Sequence, residues 1–198
     1  MENTKNSSLA KLFPVMLCFF AMGFVDLVGI ASNYVKADLN LTDSQANIFP
    51  SLVFFWFLIF SVPTGMLMNR IGRKATALAG YAFTVVGLTV PYAAGTGCAP
   101  VWYFVGFGLL GIGNTAIQVA VNPLLATSVP ESRMTSYLTV GQIFRNTSLL
   151  LLAPVVTALT AWTGSWRLLL PLYAGLTVLG GIWLQCTAVT DPPRRQGA

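Results

Sequence analysis

The fold class this sequence predicts is an all-α membrane protein of six transmembrane helices. Three observations predict it: apolar runs of about 20 residues recur along the chain, charged side chains are scarce within them, and the positive charges fall on alternate sides of successive runs. Of 198 residues, 55% are hydrophobic and 9% charged, and the mean hydropathy is +0.71. That is more apolar surface than a soluble core of this size can hide. Each run also has the length that crosses roughly 30 Å of hydrocarbon, longer than most core helices or strands.

The first span covers about 12–34. Lys5 and Lys11 precede it as they would a signal sequence, but the run is too long for one and carries Asp26, so it is read as a retained helix. A polar segment follows at 36–45, where Thr42, Asp43 and Ser44 suit the cap of the next helix. The second span, at about 46–68, holds Pro50 and Pro63, tolerable where neighbouring helices satisfy the freed carbonyls. The basic turn Asn69-Arg70-Ile71-Gly72-Arg73-Lys74 leads to a third span at about 75–94. After the loop 95–100 the fourth span runs to about Thr127, with Trp102 and Tyr103 as interfacial aromatics. The polar loop 129–133, a fifth span at 137–162, the turn 163–166, a sixth span at 167–189 and a hydrophilic stub complete the chain. Three spans followed by three fit the 3+3 inverted-repeat plan of many secondary transporters.

Lys5, Lys11, Arg70, Arg73, Lys74, Arg133, Arg194 and Arg195 fall on one side of the predicted bundle, against Lys36 and Arg167 on the other. This bias places both termini in the cytoplasm, across an inner membrane. The scatter of basic residues, despite a net charge of +5, is that of membrane topology and not of a nucleic-acid-binding patch. Cys18, Cys98 and Cys186 lie far apart and there is no histidine, so neither a metal site, a disulfide framework nor a cofactor is expected. Gly106-Phe107-Gly108-Leu109-Leu110-Gly111 matches a dinucleotide-binding pattern but sits inside a span with no strand before it. Its glycines more simply let the fourth helix approach a neighbour closely. No span pairs a nucleophile with a base, so the chain does not read as an enzyme.

Asp26 is the only acidic residue well inside a span and Arg145 the only basic one. An ionised group at mid-membrane costs at least ~2.5–3.5 kcal/mol, which makes each a functional candidate. At ~1.5 Å per residue, Asp26 lies about 21 Å and Arg145 about 13 Å from the cytoplasmic ends of their helices, close enough for a charge pair. Such a pair either couples transport to a proton or statically joins two helices. Asn114, Gln118 and Asn122 form a stripe on the fourth helix, and Thr139, Gln142, Arg145 and Asn146 another on the fifth. These amides either bind the hydroxyls of a polar solute or bond helix to helix, at about 0.6 kcal/mol per contact.

The run from Gly65 through Asn69, Arg70, Gly72, Arg73 and Lys74 resembles the signature loop of the major facilitator superfamily, with Asn69 where the family usually has Asp. The resemblance implies a cytoplasmic gating loop and the amino-terminal six-helix half of that fold. Gly23-Phe24-Val25-Asp26, Gln118-Val119-Ala120-Val121-Asn122-Pro123 and Gly141-Gln142-Ile143-Phe144 resemble the fucose–galactose–proton symporter branch. By that resemblance Asp26 matches the carboxylate that carries the coupling proton, Gln118 stands where the branch has a sugar-contacting acid, and Arg145 replaces a neutral amide. The exchange shifts the cavity toward positive charge, which suits a sugar acid or supplies a partner for Asp26.

The expected function is therefore secondary active transport, proton-coupled uptake of a monosaccharide or related small polar solute by alternating access. An organic-anion carrier or exporter of the same superfamily is the alternative within transport, and a non-transporting membrane assembly module the alternative outside it. The expected organisation is a cytoplasmic N-terminus at 1–11, a bundle at 12–189 and the start of a central cytoplasmic loop at 190–198. The substrate cavity would then be completed by a missing carboxy-terminal half or by a second copy in a homodimer.

Overall fold

A computed structural model describes residues 13–95 and 99–187. Lys5, Lys11, Cys98, Asp191, Arg194 and Arg195, and the segments expected at 1–11 and 190–198, lie outside the described residues. Six helices long and apolar enough to cross a membrane are present among them: α1 (Phe13–Leu39), α2 (Asp43–Ile71), α3 (Arg73–Ala93), α4 (Pro100–Thr127), α5 (Glu131–Thr163) and α6 (Trp166–Cys186).

The helix ends follow local chemistry. α1 runs through Lys36 and Asp38, past the expected end, because Lys36 bridges to Asp43 across the turn and Asp38 accepts from Trp166 Nε1 at 2.9 Å. It stops at Asn40, which is left-handed (φ 51°). Thr42 then caps the first turn of α2 in a reciprocal box with Gln45, as its sequence position predicts. Gly72, between α2 and α3, takes φ 96° and ψ 164°, a conformation essentially closed to other residues.

α1 and α4 form the centre, contributing Phe19, Phe24, Phe107, Ile117 and Leu124 to the core. α4 packs on α3 and α2, α3 packs on α6, and α1 meets α5; α1 also meets α6, where Phe24 and Tyr173 stand edge to face at 4.4 Å. Exchanging the first three helices with the last three maps this contact pattern onto itself, as a 3+3 repeat requires.

The glycines of α4 divide between two neighbours. A Cβ on Gly113 would lie 2.7 Å from the Gly80 carbonyl oxygen and one on Gly87 would lie 2.7 Å from that of Gly106, so α3 and α4 touch backbone to backbone. Gly108 and Gly111 face α2, against Trp56 and Val53. Buried hydroxyls return to their own helices: Thr84 donates to the Gly80 carbonyl at 2.9 Å and Thr115 to that of Gly111 at 2.8 Å.

Basic side chains close both ends of the bundle. Arg73 donates to the Pro123 carbonyl at 2.8 Å, and Lys74 to the carbonyls of Gln185 and Thr187 at 2.9 and 2.7 Å, satisfying groups near the carboxyl ends of α4 and α6. At the opposite end Arg167 is buried, donates to the carbonyls of Pro91 and Gly95 where α3 finishes, and lies 5.9 Å from the Tyr103 ring centre. The sequence places Arg167 at the start of the sixth span; the structure makes it a cap on the end of α3.

Candidate functional site

The site begins where α1 crosses α5. Gly23 to Asp26 tighten into a 3₁₀ turn in mid-span, and a Cβ on Gly23 would fall 1.7 Å from Ser148 Oγ and 2.8 Å from the Arg145 carbonyl oxygen. Only glycine fits so close a crossing. Ser148 Oγ donates to that same carbonyl at 2.8 Å, keeping the hydroxyl on its own helix. A second glycine, Gly141, receives the Phe19 ring, with a Cβ there 2.8 Å from the ring atoms. The glycines of two of the quoted motifs thus make the α1–α5 crossing.

That crossing carries Asp26 to Arg145. Their Oδ2 and Nη2 atoms are 3.9 Å apart, and each side chain is 30% exposed. The separation is a contact of charges but too long for a hydrogen bond. Donor positions on the guanidinium and lone pairs on the carboxylate therefore remain open to a third group.

Both line a cavity of about 350 Å³ enclosed by α1, α2, α4 and α5. Its polar wall is Asp26, Asn114, Gln118 and Arg145, and its apolar wall comes from Pro50, Val53, Phe54 and Phe57 of α2. Asn114 is only 6% exposed and its Oδ1 has no hydrogen-bond partner among the described residues. A buried acceptor left so costs about 1–3 kcal/mol, and a hydroxyl in the cavity could reach it only if the Asn114 side chain turned.

Of the amides singled out in the sequence, the structure brings Asn114 and Gln118 to the cavity with Asp26 and Arg145. Asn122, Gln142 and Asn146 have exposed side chains and do not line it. At 100° per residue a four-residue step drifts by about 40°, so Asn122 has turned about 80° from Asn114, and Asn146 stands about 100° round α5 from Arg145. The loop residues lie elsewhere: Gly65 is half-buried inside α2, Asn69 and Arg70 are exposed at its end, and Gly72, Arg73 and Lys74 form the turn and first contacts of α3. The α2 wall escaped the sequence reading, because an aromatic residue in an apolar span gives no sign of which side it faces.

A bundle of paired three-helix units with a charged, amide-lined cavity at mid-depth has the architecture of a secondary transporter. The profile of the Major Facilitator Superfamily matches residues 12–198, and the chain belongs to that family. It is 26% identical over 107 residues to the L-fucose-proton symporter of Escherichia coli (strain K12), covering 54% of this chain and 24% of that protein. It is 28% identical over 146 residues to a glucose/galactose transporter of Brucella abortus biovar 1 (strain 9-941), covering 73% and 35%. The crystal structure of the major facilitator transporter FucP in the outward conformation superposes with a TM-score of 0.76 at 18% identity, over 95% of this chain and 51% of that one. The chain thus matches about a quarter to a third of the length of these curated relatives and half of the solved fold. The family and these relatives are transporters and not enzymes.

Proposed function

We propose that the transporter containing this chain takes up a monosaccharide or closely related polar solute together with protons, by alternating access, across the inner membrane with both termini in the cytoplasm. The observation that carries the reading is the Asp26–Arg145 contact in the wall of a cavity that Asn114 and Gln118 also line. Names of the relatives add the class of solute: one is a fucose–proton symporter, the other a glucose/galactose transporter.

The chemistry follows from competition for one carboxylate. With the site empty, Arg145 is the counterion of Asp26. A substrate oxygen that draws the guanidinium toward itself leaves the carboxylate to a proton, so solute and proton enter the site together. Asp26 has this role because arginine keeps its charge throughout. Most of α2 and α5 is left uncovered, and a second six-helix unit, whether a carboxy-terminal half or another copy, would cover them and complete the cavity. Gly65 through Lys74 would then gate its cytoplasmic end.

The test is uptake of L-fucose, D-glucose and D-galactose into vesicles with an imposed proton gradient. Asp26→Asn should abolish uphill accumulation while leaving exchange of labelled for unlabelled sugar within a few-fold of normal, since exchange moves no net proton. Gradient-driven accumulation by Asp26→Asn would overturn the coupling role.

A further inference from the structure

Phe57 shares the level of Asp26. Counted from the helix ends at ~1.5 Å per residue, Asp26 lies about 20 Å from Leu39, Phe57 about 21 Å from Asp43, and Asn114 about 21 Å from Pro100, all measured from the same side of the bundle. Gln118 and Arg145 are one turn deeper. The acid, the Asn114 amide and an aromatic ring therefore lie at one depth of one cavity.

From this we infer that Phe57 is a specificity-determining residue that selects a ring-closed sugar, a pyranose, over an acyclic polyol. The inference rests on the reading of the cavity as a sugar site and deepens it. A pyranose has two unlike surfaces. Its hydroxyls project around the rim, where the Asp26 carboxylate and the Gln118 amide can accept and Arg145 can donate, while its C–H groups gather on a face that is apolar and slightly positive. That face matches the negative face of an aromatic ring. An alditol carries the same kinds of hydroxyl on a flexible chain with no such face, and it must also be ordered on binding. Phe57 is well placed for this role because it lines the cavity and is not locked in the core, being 36% exposed. The cavity's volume, about 350 Å³, lies at the small end of the range for small-molecule sites.

The experiment compares D-galactose with galactitol, and D-glucose with glucitol, as competitors of labelled sugar exchange in vesicles holding the full transporter. The unsubstituted protein should favour each pyranose over its alditol. Phe57→Ala should weaken pyranose competition by about three- to tenfold and leave alditol competition within twofold, whereas Phe57→Tyr should keep the original preference. An equal loss for ring and chain, or a loss of folded protein with the preference intact, would show Phe57 to be a packing residue and overturn the assignment alone. Failure of the unsubstituted protein to exchange any of the sugars, L-fucose included, would overturn the reading of the site and this assignment with it.

Discussion

Arg145 is held near Asp26 by the path of two helices and not by a hydrogen bond, for at 3.9 Å the two groups share charge without sharing a proton. The planar fork of its guanidinium can therefore turn to a second acceptor, which an ammonium on a different stem does less well. Arg145→Lys keeps the charge and loses the fork. We expect it to raise the KM for sugar about tenfold or more, as for the loss of a charged hydrogen bond, with accumulation still driven by the gradient. Arg145→Ala should impair both binding and the dependence of uptake on external pH. Uptake curves for the two variants check this, and an unchanged KM in Arg145→Lys would assign the side chain to Asp26 alone. These two residues were legible in the sequence because any charge inside an apolar run is conspicuous. The amide stripes were legible only in part: the drift that carries Asn122 and Asn146 round their helices is arithmetic, but which face turns inward depends on neighbours the sequence does not name. Phe57 was not legible, since nothing separates it from the other aromatics of α2 until the cavity is seen.

Among elements, α3 and α4 pack closely over two successive crossings, where Gly80 faces Gly113 and Gly87 faces Gly106. No hydrophobic driving force joins helices in lipid, so contact area and close approach hold them together. Added volume at these crossings must part the backbones. Gly113→Ala, whose new Cβ would meet Thr84 Oγ1 at 2.5 Å and the Gly80 carbonyl at 2.7 Å, should lower stability by about 1–3 kcal/mol. Gly175→Ala, with nothing within 4 Å, should change little. Thermal unfolding of both variants in detergent makes the comparison, and equal midpoints would refute the packing account. The presence and number of helices were legible from run length alone, as were the glycines' part in close approach. Their ends were less so: Lys36 stays helical with a partner across the turn and Asp38 with one at the start of α6, and the 3₁₀ turn at Gly23 leaves no compositional mark.

At the scale of the whole molecule the two ends differ in how their charges are used, and an expected orientation follows from that difference. On the end that holds the α2–α3 turn, Arg70 is exposed and Arg133 ends the short 3₁₀ turn that opens α5, while Arg73 and Lys74 bind carbonyls of α4 and α6. On the other end Lys36 is paired with Asp43, and Arg167 is buried against the end of α3. Asp38 adds a negative charge there, donated to by Trp166. The second end thus has little free positive charge to resist crossing, and the asymmetry is sharper than the sequence count of Lys and Arg suggested. The end with Arg70 and Arg133 should face the cytoplasm. In a chain with Cys18, Cys98 and Cys186 replaced by serine or alanine, a cysteine at Gly164, in the α5–α6 turn, should react with a membrane-impermeant maleimide on intact cells. A cysteine at Ser132, in the α4–α5 turn, should react only after the membrane is opened. The same reagent should reach native Cys98 from outside when that residue is restored. Labelling of Ser132→Cys but not Gly164→Cys in intact cells would invert the molecule, and the gating loop and the direction of proton entry would have to be reassigned together.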